Sequence, residues 1–391
     1  MVIAAGGGAT RDLTGWRVVS QAKPGKKYRV NPLAQSCTCP DFEDRNEPCK
    51  HVYAVLFVMT AETNADGTVT TTAQRVTYSQ NWSAYNEAQV NEKDTFMRLL
   101  ADLCSGIPQP PQANGRPRLP LADMVFAAVF KVYSGFSSRR FQSDLREAHS
   151  RELVSPVPHF NSVTNYMASE ELTPLLHALI VESAIPLRAL ESDFAVDSSG
   201  FTTTRFLRWH DEKHGIAQTK HRKEWLKAHV MVGTRTNVVT SVELSDWKGG
   251  DTTYFPPLVQ STAKSFDVVE VSADKAYLTK VNCELVEEVG ATPYIPFKKN
   301  TVPVLNVGTA WERMYHRFAS DPEAYMSAYH KRSNVETTFS MIKMKFGDSL
   351  MSKSNVGQAN EVLCKILAHN IVCVAQAAIE FGIDPTFQLA S

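Results

Sequence analysis

The chain has 391 residues, of which 43% are hydrophobic and 21% are charged. A chain of this size and composition can bury more than one core, which excludes a disordered protein and a small disulfide-stapled scaffold. Because 41 lysines and arginines balance 41 aspartates and glutamates, no global charge attracts nucleic acid, and any such contact must depend on local basic patches.

Membrane insertion and secretion are not expected from the sequence. No stretch approaches the roughly 20 apolar residues of a membrane span, and residues 1–8 lack the charged-then-apolar order of a secretion signal. The seven cysteines are an odd number, and four of them lie singly in apolar segments, as buried thiols do: Cys104, Cys283, Cys364 and Cys373. We therefore predict a soluble cytoplasmic protein, in which clustered cysteines indicate a metal rather than disulfides.

The remaining three cysteines cluster near the N-terminus as Cys37-x-Cys39-x9-Cys49-x-His51. Three thiolates and one imidazole in two close pairs are the donors of a closed tetrahedral Zn²⁺ site. A hairpin is predicted before the cluster, over 16–20 and 27–30, and apolar residues at helical spacing follow it: Val52, Val55, Leu56 and Met59. Such a small ββα unit buries little core, so a metal would supply folding free energy. The alternative is a chance grouping of cysteines.

With Pro40-Asp41-Phe42 after the second cysteine and Lys50 inside the last pair, this pattern resembles the SWIM zinc finger over residues 14–62. The resemblance implies a structural zinc ion and a module that binds DNA or protein, and it leaves the partner open.

Residues 63–120 are predicted to be a linker with one helix. Residues 63–75 are polar and turn-rich, the segment 88–103 has helical periodicity, and 105–120 contains five prolines.

Residues 121–185 are predicted to be helical, and Ser137-Ser138-Arg139-Arg140 opens the second helix of this segment. The helices form either a helix-turn-helix that places Arg139 and Arg140 on DNA phosphates or an ordinary bundle whose arginines face water. The sequence leaves both interpretations open.

From residue 190 short apolar runs alternate with helical segments, which predicts an α/β sheet. The runs are 194–197, 228–232, 238–244, 266–271 and 292–297. Asp197 ends the first run and Asp274 closely follows the fourth, where α/β sheets place their sites. Each aspartate by itself is more often a helix cap or a turn former.

A third acidic residue lies on a predicted helix. Tyr329, Arg332, Glu336 and Lys343 are offset by 3, 4 and 7 residues, so they share one stripe of a helix. An adjacent stripe is apolar: Val335, Phe339, Ile342 and Phe346. A surface salt bridge would explain Arg332 and Glu336 alone. Three carboxylates on separate elements beside cations are what two-metal phosphoryl transfer requires.

The spacing Tyr329-x2-Arg332-x3-Glu336-x6-Lys343, with Asp197-Ser198-Ser199-Gly200 and Ala273-Asp274-Lys275-Ala276-Tyr277, resembles the motifs of DDE transposases from prokaryotic insertion sequences. The resemblance spans about 190–375 and implies a ribonuclease H-like fold with Asp197 on the first strand, Asp274 after the fourth and Glu336 on the next helix. It implies that these carboxylates are catalytic and hold Mg²⁺ or Mn²⁺. It also implies that the basic and tyrosine members of the helical motif contact DNA near the scissile phosphate: Tyr329, Arg332 and Lys343.

The stretch 223–229 looks like the basic segment before the second strand of these enzymes, which implies contacts of Lys223, Trp225 and Lys227 with the DNA backbone. About 38 residues separate the last predicted strand from Glu336, so the large β insertion of some relatives is not expected.

We therefore expect a multidomain α+β chain, with a ββα zinc finger over 14–62, the linker 63–120, an all-α segment over 121–185 and a ribonuclease H-like domain over 190–380. The expected function is a transposase of the prokaryotic nucleoid. It would hydrolyse the ends of an element to a 3′-hydroxyl and join them to target DNA. A homodimer follows from having two terminal repeats to process. Two alternatives stay open: a domesticated DNA-binding protein that does not cut, and a ribonuclease H-like nuclease that cuts without joining.

Overall fold

A computed structural model describes residues 9–12, 15–19, 26–31, 34–45, 49, 51–52, 55, 59–63, 69–73, 82–112, 115, 117–203, 225–298, 301–302, 306–385 and 387. The chain divides into two units, Met1–Asn81 and Trp82–Ser391.

The first unit contains two small antiparallel sheets. Strands β1 (Ala9–Asp12), β2 (Gly15–Val19), β3 (Lys27–Asn31) and β4 (Ser36–Cys37) pair in that order, helix α1 (Pro40–Arg45) follows, and β5 (Met59–Thr63) pairs with β6 (Val69–Ala73).

The predicted hairpin is confirmed as β2 and β3, whose alternate residues Trp16, Val18, Tyr28 and Val30 are buried against the cysteines. Residues 51, 52 and 55 are helical as predicted, but Met59 begins β5 instead. The threonine-rich strand opposite it explains the difference, because β-branched residues favour strands.

Helices open the second unit. They are α2 (Trp82–Val90), α3 (Glu92–Ser105), α4 (Leu121–Ser134), α5 (Gln142–Ser150), α6 (Phe160–Met167) and α7 (Leu172–Ala184). The sequence predicts one helix across 88–103, whereas the structure has two that meet at Asn91. The Asn91 side chain donates to the carbonyl of Glu87, and such local bonds compete with helix continuation.

A mixed five-stranded sheet forms the centre of the second unit, which confirms the predicted mixed α/β architecture. Its strands are β7 (Asp193–Thr202), β8 (Trp225–Gly233), β9 (Val239–Ser245), β10 (Glu270–Ala273) and β11 (Thr292–Tyr294), in the order β11-β10-β7-β8-β9. Strands β7, β10 and β11 are parallel, and β8 is antiparallel to both of its neighbours. The helices in this part are α8 (Asp251–Ala263), α9 (Lys280–Glu288), α10 (Ala310–Ser320), α11 (Pro322–His330) and α12 (Ser333–Phe346).

The fourth strand starts later than its apolar run predicts. Phe266 and Val268 are buried, yet β10 begins only at Glu270. An apolar run indicates buried residues, and here the buried residues include part of the segment that connects α8 to β10.

The last helix, α13 (Asn355–Phe381), is long and apolar enough by length and composition to cross a membrane, which corrects the expectation that no stretch approaches that length. In this structure 83% of its apolar window is buried inside the protein. Buried polar residues interrupt the apolar run and hide the helix from inspection of the sequence: Asn360, Lys365, His369 and Asn370. It packs against α7, α4 and α3 as a core helix.

A single hydrophobic core runs through the second unit, from Phe96 on α3 to Phe387. The helices between 121 and 185 lie in this unit and share its core with the sheet. Arg139 and Arg140 are exposed at the start of α5, and the guanidinium of Arg139 lies 5.6 Å from the ring centre of Phe160 on α6.

Candidate functional site

The four predicted zinc ligands come together in the first unit. Cys37 ends β4, Cys39 precedes α1, and Cys49 and His51 follow α1, and all four are buried. Their ligand atoms lie within 4.8 Å of one another, and Nδ1 of His51 is 3.6 Å from the Sγ of Cys49 and 3.9 Å from that of Cys37. Zinc bonds of roughly 2.3 Å to sulfur and 2.0–2.1 Å to nitrogen would separate such atoms by about 3.6 Å in a tetrahedron. The donor set therefore fits Zn²⁺.

Burial has the largest single influence on the pKa of each of the three thiols. It raises the pKa of Cys37 and of Cys39. In Cys49 the N–H of Val52 and bonds from the other thiols outweigh burial and lower the pKa. The cluster thus holds one thiol that gives up its proton readily, as a zinc ligand must.

Two of the three predicted carboxylates are placed by neighbouring parallel strands. Ala273 on β10 pairs with Val196 on β7, and Asp274 and Asp197 are the residues that directly follow this pair. Asp197 lies within β7, whereas Asp274 follows the end of β10 and its Oδ1 accepts a hydrogen bond of 2.7 Å from the N–H of Lys275.

Arg332 links Asp197 to the third carboxylate. Its Nη1 is 2.6 Å from Oδ2 of Asp197, its Nη2 is 2.5 Å from Oε1 of Glu336, and its Nε donates to the hydroxyl of Tyr329 at 3.2 Å. The predicted helical stripe is broken, because α11 ends at His330 and α12 begins at Ser333. The three motif side chains meet despite this break.

Lys331 anchors the junction between the two helices. Its ammonium group is 2.6 Å from Oδ2 of Asp193 on β7 and 2.6 Å from Oε2 of Glu270 on β10. The apolar stripe of α12 is also confirmed, since Val335, Phe339 and Ile342 are buried and Phe346 is partly buried. Together these contacts fix the position of Arg332 at the sheet.

The charges of the other two carboxylates act on Asp197. Burial raises the pKa of Asp197, and the charges of Glu336 and Asp274 raise it further, while the N–H of Ser198 and the charge of Arg332 oppose the rise. Among the described residues, the ligand atoms of the Cys/His cluster all lie within 4.8 Å of one another, and no other group of three or more His, Cys, Asp or Glu side chains meets this limit. The three carboxylates are therefore more widely spaced. Their oxygen donors suit a hard divalent cation, and Arg332 shows that two of them accept a cation between them.

The other predicted DNA contacts divide into groups. Lys343 donates to Oγ of Ser199 at 2.6 Å, and burial lowers its pKa. Trp225 is 41% exposed and covers Gly200, where a Cβ would lie 2.7 Å from the indole ring. Lys227 is paired with Asp251. Lys223 lies outside the described residues.

Several residues of this region are not indicated by the sequence. Asp251 opens α8, so it looks like an ordinary acidic residue in the first turn of a helix. A surface depression beside Asp274 is lined by Lys275, Phe297 and Lys298, two of them cationic. No pattern links these residues to the motifs, because the fold alone brings them near.

Fold and site together define a class of protein: a mixed α/β chain with acidic side chains at adjacent strands and on a following helix, preceded by a Cys/His metal cluster. The family model of the transposase DDE domain matches residues 188–371, and that of the SWIM zinc finger matches residues 28–58. The chain thus contains a transposase DDE domain and, ahead of it, a SWIM zinc finger, which confirms both predicted resemblances. No solved structure matches the chain. The matched domain supports DNA transposition in general, implies DNA binding and suggests a divalent metal.

Proposed function

We propose that this protein cuts and joins the DNA ends of a mobile element by two-metal phosphoryl transfer. The observation that carries the proposal is that Arg332 bridges Asp197 and Glu336, while the charges of Glu336 and Asp274 both raise the pKa of Asp197. Clustering like charges costs stability and is found mainly where a site needs it.

The strand order supports a ribonuclease H-like fold for the proposed catalytic domain. Counted along the sheet-forming segment, the order is fifth, fourth, first, second, third, and the second strand runs in the opposite direction to the other four. Asp197 is on the first strand and Asp274 directly follows the fourth, as that fold requires of its acidic residues. The described residues between β11 and Glu336 (295–298, 301–302, 306–335) contain no strand, in line with a domain without a large β insertion.

The three carboxylates would hold two Mg²⁺ or Mn²⁺ ions, which activate the attacking water or 3′-hydroxyl and stabilise the leaving oxygen when bound. The chain itself must orient the scissile phosphate. Arg332 contacts Asp197, Tyr329 contacts Arg332, and Lys343 contacts Ser199 on β7, and we assign these three side chains the non-bridging phosphate oxygens. Positioning and charge neutralisation then supply most of the rate.

DNA beyond the scissile phosphate would follow the exposed Trp225 and the basic residues around it, with Lys223 and Lys227 on the backbone. Arg139 and Arg140 are exposed and available for a second DNA contact. Because an element has two ends, the active form is proposed to be a dimer that works on DNA in the nucleoid. The SWIM finger would hold Zn²⁺ as a structural ion.

The experiment is a cleavage and strand-transfer assay with purified protein, Mg²⁺ and DNA that carries the flanking ends of its own gene. We expect metal-dependent nicks at the ends and joined products. Asp197→Asn, Asp274→Asn and Glu336→Gln should each abolish cleavage and leave DNA binding within about twofold, because each removes a ligand charge and preserves the shape of the side chain.

Asp267→Asn is the matched control, since Asp267 is an exposed aspartate outside the site. Full cleavage by a carboxylate variant would remove that residue from the site. Cutting without joined products would identify a nuclease, and binding without any cutting would identify a DNA-binding protein that has lost the chemistry.

A further inference from the structure

A fourth carboxylate, that of Asp251, lies next to the three of the motifs. Oδ1 of Asp251 accepts a hydrogen bond of 2.9 Å from Oγ of Ser198 and pairs with the ammonium group of Lys227. The side chains of Asp251 and Lys227 are only 27% and 18% exposed. Partial burial strengthens an ion pair of this kind, because the solvent screens it less.

Ser198 connects Asp251 to Asp197. The N–H of Ser198 donates to Oδ1 of Asp197 at 2.8 Å, and its hydroxyl donates to Asp251. One residue therefore donates to both carboxylates. Because Asp251 fixes the hydroxyl of the residue whose N–H orients Asp197, Asp251 restrains the Asp197 carboxylate.

His229, which pairs with Ser198 across strands β7 and β8, does not donate to Asp251. The hydroxyl of Ser245 donates to the carbonyl of Asp246, so it accepts from Nε2 of His229 at 2.9 Å. Burial and the charge of Lys227 lower the pKa of His229 to about 4, so the ring is neutral and Nδ1 carries a lone pair. That lone pair faces Oδ1 of Asp251 at 3.5 Å. Ser198 and Lys227 are therefore the donors that hold Asp251 among the described residues.

Two polar atoms beside Asp251 are buried and unpaired among the described residues. They are Nδ1 of His229, in a side chain that is 0% exposed, and the hydroxyl of Tyr277, in a residue that is 1% exposed. Burial raises the pKa of Tyr277, and the charges of Asp251 and Asp197 raise it further, while the nearby Ser198 lowers it. The distance or angle between the two hydroxyls does not meet that of a hydrogen bond. Unpaired buried polar atoms are rare and destabilising. Two of them around one carboxylate indicate that this arrangement serves the site rather than the stability of the fold.

We propose that Asp251 is a positioning residue of the carboxylate site, which orients Asp197 through Ser198 and thereby sets the affinity of the site for a divalent cation. The inference rests on the proposed function, because it takes Asp197 to be a ligand of that cation.

The test is a titration of the zinc-loaded full-length protein with Mn²⁺, in which free Mn²⁺ is measured by electron paramagnetic resonance. Asp251→Ala and Ser198→Ala should each raise the Kd for Mn²⁺ roughly tenfold. The double variant should have a Kd no higher than that of the single variant that binds Mn²⁺ less tightly, because both substitutions remove the same link. Asp251→Asn keeps an oxygen that accepts from Ser198, so it should stay within about threefold of the unaltered protein. Asp267→Ala, at an exposed aspartate outside the site, is the matched control.

The comparison of Asn with Ala separates orientation from charge, because both substitutions remove the same negative charge. If Asp251→Asn binds Mn²⁺ as weakly as Asp251→Ala, charge alone is responsible and the positioning role is overturned. A double variant whose effect is the product of the two single effects overturns it too. Should Asp251→Ala fail to fold by circular dichroism, Ser198→Ala carries the test by itself, and unchanged Mn²⁺ binding in that variant overturns the proposal.

The failure of the proposed function has a different signature in the same titration. If Asp197→Asn binds Mn²⁺ as the unaltered protein does, Asp197 holds no cation, and both the proposed chemistry and the role of Asp251 are overturned. If Asp197→Asn loses the ion while Asp251→Ala and Ser198→Ala keep it, only the role of Asp251 is overturned.

Discussion

The guanidinium group of Arg332 lies between two carboxylates that would otherwise repel each other. Burial alone would lower the pKa of Arg332, but its bonds to Glu336 and Tyr329 raise it, so the side chain stays charged. A divalent cation held by Asp197 and Glu336 would meet this positive charge at close range. The same charge is well suited to a DNA phosphate. Arg332 therefore opposes metal binding until a DNA phosphate neutralises its positive charge.

We predict that Arg332→Gln binds Mn²⁺ more tightly in the absence of DNA and cleaves DNA more slowly. Removing a cation that is partly screened by solvent should lower the Kd for Mn²⁺ about fivefold, whereas losing a phosphate contact should reduce cleavage at least tenfold, on the order of the charge-assisted bond lost. Mn²⁺ titration and a cleavage time course measure the two effects. Arg188→Gln is the matched control, because Arg188 is an exposed arginine outside the site. Weaker Mn²⁺ binding by Arg332→Gln would contradict this competition.

At this scale the sequence identifies the residues whose spacing is fixed by one element, and it cannot identify their distant partners. Tyr329, Arg332 and Glu336 lie within one stretch, so their proximity follows from helical geometry, even though the helix is interrupted. Lys331 reaches Asp193 across 138 residues and Asp251 reaches Ser198 across 53. Those pairings depend on strand order, which a single sequence does not specify.

Helix α13 fixes the strands that carry the site. Asn370, which is 0% exposed, accepts from the N–H of Val239 at 2.9 Å and donates to its carbonyl at 2.7 Å. Strand β9 is the edge of the sheet, so this amide replaces a missing neighbouring strand. At the preceding residue of the helix, Nε2 of His369 donates to the carbonyl of Asn237 at 2.8 Å, in the turn between β8 and β9. Asn237 has a φ of 63°, which asparagine tolerates better than most residues.

His369 predicts a loss of stability in acid. Burial lowers its pKa to about 4 in the folded protein, against roughly 6.5 in an unfolded chain. Between these values the unfolded chain binds more protons, so the free energy of unfolding falls as the pH drops from 6.5 towards 4. The free energy of unfolding that His369 contributes is lost gradually, and the loss amounts to about 2 kcal/mol between pH 7 and 5.

The measurement is urea unfolding of His369→Gln at both pH values. The glutamine does not titrate, so the variant should lose about 2 kcal/mol less than the unaltered protein over this interval, although His229 maintains some pH dependence. His330→Gln, at an exposed histidine, should lose as much as the unaltered protein. An equal loss in His369→Gln would show that His369 does not govern this range.

The elements were predictable wherever a period or an apolar run coincided with a single strand or helix. The runs around Asp197 and 228–232 became β7 and β8, because both strands are central in the sheet and buried on both faces. Breaks at Asn91 and at Lys331–Arg332 were not predictable, since they occur inside stretches that keep helical periodicity. The local bond from Asn91 to Glu87 marks the first break, and long-range contacts of Lys331 and Arg332 with the sheet mark the second.

The whole molecule consists of two units that are stabilised in different ways. The second unit has a continuous core of helices and sheet, whereas the described residues of the first form a small core cluster of nine, of which three are the cysteines themselves. So few apolar residues supply little folding free energy. A tetrahedral zinc ion bound by the Cys/His cluster would supply the rest, because metal binding and folding are coupled in such modules.

We predict that Cys49→Ser loses zinc and unfolds the first unit while the second keeps its fold. The serine hydroxyl does not replace a thiolate ligand, so the zinc content should fall from one ion per chain to well below half of that. Amide exchange should become fast in β2 and β3, where the hydrogen bonds depend on the cluster, and stay slow in α13, which belongs to the other core. Glu43→Gln, at an exposed position on α1, should keep its zinc and its protection. Retained zinc in Cys49→Ser would show that Cys49 is not a required ligand, and exchange in α13 that accelerates together with β2 and β3 would show that the two units do not fold independently.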